Sequence, residues 1–185
     1  MYVHEMTHMF RQVMDGMSKP GVINPIEGIT HRTSYSDAMY LLLQTLLDNE
    51  VTFHIVNGLQ SDREEIQLLL NSRVVDLQLA DYIIMKQQDL SDVHRLLESK
   101  RGTYKDPEVS ATWLIQLDHF SSGDVYTLTG PGIKTQVQVN LPGMSELIAQ
   151  RNQLCQSFPL GVDMIFVTDD SVLCIPRTTV IKEVH

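Results

Sequence analysis

From residue 4 to residue 17 the apolar positions Met6, Met9, Phe10, Val13, Met14 and Met17 recur every three or four residues. That spacing puts them on one side of a helix, and Pro20-Gly21 predicts its end. A second helix is predicted from Ser34 onward. Ser34 followed by Asp37 resembles a capping box with Asp in place of Glu, and Met39, Leu42, Leu43, Leu46 and Leu47 form its buried stripe. The period then changes. Val51, Phe53 and Ile55 alternate with polar residues, which predicts a strand over 51–56 closed by a turn at Asn57-Gly58. Ser61 and Glu64 predict the start of a third helix that runs to about Leu70. Tyr82–Met85 reads as a short apolar strand, and Leu90, Val93, Leu96 and Leu97 mark a fourth helix that stops near Gly102.

The second half is richer in strands. Thr112–Leu117, Val125–Thr129 and Ile133–Asn140 are predicted strands, and Ser121-Ser122-Gly123-Asp124 predicts that the first two form a hairpin. A helix from Ser145 to about Gln156 follows. Val162–Thr168 and Ser171–Ile175 predict a last hairpin around Asp169-Asp170. Mixed helices and strands followed by a hairpin-rich end imply an α/β fold, a mixed β-sheet covered by helices on both sides in three layers.

Composition narrows the function more than the fold. The 185 residues read as a single domain, 1–185. A chain of this size buries roughly 70% of its unfolded surface, enough for one core without staples. Apolar residues make up 43% and charged residues 20%, and the net charge is −9. Nucleic-acid binding calls for a basic stripe, and the densest basic cluster, Lys100-Arg101 with Lys105, has acidic neighbours. Nucleic acid and anionic membrane are therefore poor partners. No apolar run reaches the length that spans a bilayer, and residues 1–20 carry His4, Glu5, His8, Arg11 and Asp15 where a secretory signal would be apolar. A cytoplasmic location is expected, with Cys155 and Cys174 as reduced, buried packing residues.

His4-Glu5-Met6-Thr7-His8 fits H-E-x-x-H, in which two histidines one turn apart bind zinc. The context argues against a metal. The motif starts at the fourth residue, and Met6, Met9 and Phe10 leave both histidines at the margin of the apolar stripe. Walker A, G-x-G-x-x-G and G-x-S-x-G motifs are all missing, and no catalytic residue is assigned.

Three loops hold the remaining chemistry. Gly102-Thr103-Tyr104-Lys105-Asp106-Pro107-Glu108 precedes Ser110-Ala111-Thr112. In Leu128-Thr129-Gly130-Pro131-Gly132-Ile133, glycines around a proline either expose N–H groups to an anion or simply make a tight turn. Phe158-Pro159-Leu160-Gly161-Val162-Asp163 is followed by Ile175-Pro176-Arg177-Thr178-Thr179. There Arg177 beside two hydroxyls either clamps a phosphate or carboxylate or pairs with Asp163 or another carboxylate to fix the hairpin. Thr129, Gly130, Gly132, Arg177 and Thr178 are thus the candidate ligand-binding residues.

These loops resemble the PhnH family of the carbon–phosphorus lyase system. The C-terminal pair of segments is similar to its signature and Leu128–Ile133 to its central loop. Phe10-Arg11 with Met17-Ser18 and Pro20–Ile23 resembles its opening segment, Leu41–Asp48 its second helix, and Gly102-Thr103 with Pro107-Glu108 and Ala111-Thr112 its middle segment. The ordered matches run from about residue 3 to residue 181. The resemblance implies a homodimer that joins the related subunits G, I and J in a core complex. It implies a fold like the large domain of pyridoxal-phosphate-dependent transferases, without that cofactor. It also implies a part in transferring an alkylphosphonate to the ribose of a nucleoside triphosphate, which forms ribose 1-alkylphosphonate 5-triphosphate. The expected part is accessory. The alternative is a catalytic subunit that binds nucleotide or phosphonate through Thr129–Gly132 and Arg177.

Overall fold

The computed structural model describes residues 2–27 and 34–184. The chain is α/β. A helix α1 (Tyr2–Ser18) leads into a short strand β1 (Ile23–Pro25). Helix α2 (Asp37–Leu46), strand β2 (Thr52–Ile55), helix α3 (Gln60–Leu70) and a two-residue strand β3 (Arg73–Val74) follow. Strand β4 (Tyr82–Lys86) runs straight into a 3-10 helix over Gln87–Glu98 that is broken by a kink at Asp92. Strands β5 (Thr112–Gln116), β6 (Asp124–Thr129) and β7 (Val137–Leu141) precede helix α4 (Ser145–Leu154). Strands β8 (Asp163–Val167), β9 (Ser171–Ile175) and β10 (Val180–Glu183) close the chain.

Seven strands form one mixed sheet in the order β1-β9-β8-β5-β4-β2-β3. Its centre is parallel, with β8, β5, β4 and β2 side by side, and the β8–β9 hairpin makes one flank antiparallel. Central strands buried on both faces read as continuous apolar runs. In β5, Trp113, Leu114 and Ile115 are all fully buried. Alternate residues serve two cores. Leu114 and Ile165 join Met9, Val13, Met39 and Leu42 under α1 and α2. Trp113, Ile115 and Phe166 join Val93, Leu96, Leu147 and Ile148 under the 3-10 helix and α4. The α/β fold and the mixed sheet agree with the patterning.

The second core has a further cover. Strands β10, β6 and β7 form a separate antiparallel sheet in that order, and Tyr126, Leu128, Val139, Leu141 and Ile181 point into the core from it. The predicted hairpin between Thr112–Leu117 and Val125–Thr129 is therefore corrected. The two strands lie in different sheets, and β5 pairs with β4 and β8 instead. The third predicted strand starts later than Ile133, because Ile133 N–H donates to the Gly130 carbonyl at 3.1 Å and closes a turn. The cap of α2 is Ser36 rather than Ser34, with its hydroxyl accepting from Met39 N–H at 3.3 Å. Helix α3 starts at Gln60 after Leu59, with no side-chain cap.

Candidate functional site

The C-terminal run folds back on itself through one ion pair. Asp163 opens β8 and Arg177 follows β9, so the hairpin register brings them side by side. Arg177 Nη2 lies 2.7 Å from Asp163 Oδ2, Arg177 Nε donates to Asp163 Oδ1 at 3.4 Å, and the Arg177 backbone N–H donates to the same oxygen at 2.7 Å. Arg177 Nη1 donates to the Pro107 carbonyl, which ties in the loop that begins at Gly102. Every guanidinium nitrogen thus has a protein acceptor. Of the two readings left open for Arg177, the geometry displays the pairing with Asp163.

The glycine loop meets the same run. Thr129 ends β6 directly opposite Val180 of β10, which places Thr129 and Gly130 beside Thr178 and Thr179. Gly130 has φ 137°, and a Cβ there would lie 3.0 Å from the Thr178 carbonyl oxygen. Gly132 has φ 81°, and a Cβ there would collide with the Ser18 carbonyl at the end of α1. Both positions favour glycine because other backbone comes too close. Thr129 and Gly130 thus lie beside Thr178, which follows Arg177, whereas Gly132 packs against the end of α1.

One organiser of this corner gave no motif. Arg151 on α4 is 1% exposed. Its Nη1 donates to the Thr179 carbonyl at 2.7 Å and its Nη2 to the Pro176 carbonyl at 2.6 Å. Asn152 adds a bond from Nδ2 to the Ile181 carbonyl at 2.9 Å. Helix α4 thus holds the backbone on both sides of Arg177-Thr178. Burial lowers the pKa of Arg151, opposed by the nearby Cys155 and Asp163. The available signal was a cation in the buried stripe of Leu147, Ile148 and Leu154.

The family profile described as bacterial phosphonate metabolism protein (PhnH) matches residues 1–182. The chain belongs to the PhnH family. It is 31% identical over 173 residues to a Stutzerimonas stutzeri protein named HtxG and described as a candidate C-P lyase subunit, covering 92% of this chain and 82% of that protein. It is 23% identical over 181 residues to alpha-D-ribose 1-methylphosphonate 5-triphosphate synthase subunit PhnH of Rhizobium meliloti (strain 1021), covering 96% of this chain and 90% of that one. Several segments that carry the PhnH resemblance touch one another. The opening segment supplies Ser18 and Pro20 against Gly132, the central loop supplies Gly130 against Thr178, and the middle segment supplies Pro107 to Arg177.

Other predicted chemistry lies elsewhere in this PhnH-family fold. His4 is exposed on α1, and His8 Nε2 lies 3.1 Å from Gln12 Nε2. Among the described residues no three His, Cys, Asp or Glu side chains group closely enough to hold a metal. Both cysteines are free. Cys174 is buried in β9 with its thiol pushed up to about 12 by burial, whereas Cys155 is half-buried at the end of α4. Lys86 ends β4, with Nζ donating to the Ser34 carbonyl at 3.1 Å and lying 4.5 Å from the centre of the Tyr35 ring. No helix among the described residues is long and apolar enough to cross a membrane.

Proposed function

We propose that this chain is an accessory subunit of a carbon–phosphorus lyase core complex, supporting formation of ribose 1-alkylphosphonate 5-triphosphate from a nucleoside triphosphate and an alkylphosphonate. The observation that carries the subunit role is the PhnH match over residues 1–182. The Rhizobium meliloti relative is named as a subunit of the synthase that makes such a ribose triphosphate. The accessory role is supported by Arg177. A bidentate oxyanion site needs a guanidinium fork that is open to the ligand, and this fork is taken up by Asp163 and Pro107.

On this reading the chain works in the cytoplasm as a homodimer beside the related subunits G, I and J. Its main sheet shares the layout of the large domain of pyridoxal-phosphate-dependent transferases without using the cofactor. The tethering of Lys86 to the Ser34 carbonyl and the Tyr35 ring supports that part, because a Schiff-base lysine needs a free amine facing its partner.

The test is adenine release from ATP and methylphosphonate. The purified chain alone is expected to release none, and a mixture of the partner subunits is expected to release more when the chain is added. Adenine release by the chain alone would sink the accessory reading and favour catalysis through Thr129, Gly130, Gly132, Arg177 and Thr178.

A further inference from the structure

Open α/β sheets bind ligands in the crevice outside the carboxyl ends of their parallel strands. Here β4 and β5 are parallel neighbours that end at Lys86 and Gln116. A cavity of about 520 Å³ opens at those ends, lined by Lys86, Gln87, Leu90, Gln116, Asp118 and Pro142 among others. That is the size range of small-molecule sites. It lies apart from the Arg177 corner and shares none of its lining residues.

Two glutamines of this cavity are fixed in a definite orientation. Gln116 Oε1 accepts the Ser36 backbone N–H at 3.1 Å, and Gln87 Oε1 accepts the Asp118 backbone N–H at 3.0 Å. A backbone N–H can only donate, so the atom facing it in each case is the carbonyl oxygen and the amide cannot be flipped. Each –NH2 group then carries two N–H donors that the described residues leave without an acceptor. Lys86 lines the same space. Its ammonium spends one donor on Ser34 and is braced against the Tyr35 ring, and the described residues leave its other two donors without an acceptor. The donors are therefore held in place before any ligand arrives, which lowers the ordering cost of binding. Asp118 is the acceptor at the exposed edge, and Leu90 and Pro142 supply apolar contact.

We infer that the crevice at the ends of β4 and β5 binds a phosphorus oxyanion, a phosphate or phosphonate group, through the amides of Gln87 and Gln116 and the ammonium of Lys86. Two pinned amides and a cation match the acceptor-only oxygens of such a group. Asp118 suits a hydroxyl on the same molecule, so a sugar phosphate makes more of the site than the bare ion does. The inference does not depend on whether the chain is accessory or catalytic, because a non-catalytic subunit can also hold a ligand.

Isothermal titration calorimetry of the full-length chain with ribose 5-phosphate, methylphosphonate, inorganic phosphate and ribose tests it. Gln116→Glu and Gln87→Glu are the informative variants. A carboxylate still accepts the Ser36 or Asp118 N–H, so the backbone contact survives while the donors are replaced by negative charge. The three phosphorus compounds are expected to bind, ribose 5-phosphate tightest, and ribose is expected not to. Each variant should melt near the wild-type temperature and lose about tenfold or more in affinity. Equal affinity for inorganic phosphate and ribose 5-phosphate would assign the site to the oxyanion alone and remove the role of Asp118. If one variant fails to fold, Lys86→Gln reads the same site, and chemical-shift mapping of the isotope-labelled wild-type chain reads it without substitution. Shifts should then centre on residues 86–90 and 116–118. Failure of the wild type to bind any of the phosphorus compounds, variants that bind as the wild type does, or shifts centred elsewhere would each overturn the inference.

Discussion

Arg177 and Arg151 hold the C-terminal run from opposite directions. Arg177 reaches across the hairpin to Asp163 and sideways to Pro107, and Arg151 reaches up from α4 to the carbonyls of Pro176 and Thr179. The Arg177–Asp163 pair is mostly buried, with 19% and 15% of the two side chains exposed. Removing one partner leaves the other charge poorly solvated. Arg177→Ala should therefore cost about 2 kcal/mol of stability, with Asp163 still served by the backbone N–H of residue 177. For a chain of this length that corresponds to a melting temperature about 4–8 °C lower. Differential scanning calorimetry with and without nucleotide checks this. An unchanged melting temperature combined with loss of nucleotide protection would instead restore the anion clamp. The Asp163 partnership was one of the readings the sequence left open, because a hairpin around Asp169-Asp170 brings positions 163 and 177 together. The role of Arg151 was not. Its acceptors are backbone carbonyls, and carbonyls carry no residue-specific signal.

Element types were legible where the buried pattern had a clear period, and less so where a local turn signal stood in for partner choice. Leu90, Val93, Leu96 and Leu97 are spaced as on an α-helix, yet the segment forms 3-10 turns broken at Asp92, and of the four only Val93 and Leu96 are fully buried. Ser121–Asp124 has turn chemistry, yet a turn cannot decide which strands pair. That information lay in the strands themselves. In β5 the run Trp113-Leu114-Ile115 is apolar on both faces, whereas β6 alternates Val125, Tyr126, Thr127 and Leu128 with only Tyr126 and Leu128 buried. The first pattern belongs to a central parallel strand and the second to a sheet with one covered face. Strands β1, β3 and β10 are two to four residues long and too short to show any period.

One element-level contact is sensitive to pH. His54 on β2 bonds through Nδ1 to the Val75 carbonyl at 2.9 Å, so Nδ1 carries the proton, and Nε2 faces Arg95 Nη2 of the 3-10 helix at 3.4 Å. Burial lowers the pKa of His54 from its ordinary 6.5. The Val75 carbonyl opposes this, and the charges of Arg95 and Arg63 add to the lowering. A histidine whose folded pKa lies below its unfolded value takes up its proton more readily when unfolded. Its contribution to stability is therefore complete above the ordinary value and is lost as pH falls through it. Thermal melts between about pH 7 and pH 5 should show a decline that is shallower in His54→Gln, which does not titrate in that window. Identical slopes for the two proteins would show that the histidine does not couple to folding.

At the scale of the whole molecule, the net charge of −9 sets how copies of this chain can associate. Like charges repel, so a homodimer has to be held by apolar contact over roughly 800 Å² per partner. Helix α1 offers such contact. Met9 and Val13 are spent on the core, but Val3, Phe10 and Met14 form a second stripe with 77%, 50% and 55% of their surface exposed. Positions 3, 10 and 14 fall on one side of a helix. The neighbouring β1 is an edge strand of the large sheet and leaves Ile23 half exposed beside α1. An uncovered apolar stripe next to an open sheet edge is what a partner copy would cover. Phe10→Asp combined with Met14→Asp puts two like charges into that stripe without touching the buried face. Light scattering after size exclusion should find the wild type dimeric at micromolar concentration and the double variant monomeric, with unchanged circular dichroism. A monomeric wild type would remove the homodimer from the proposal, and a dimeric variant would move its interface off α1 and towards the strand-rich second half.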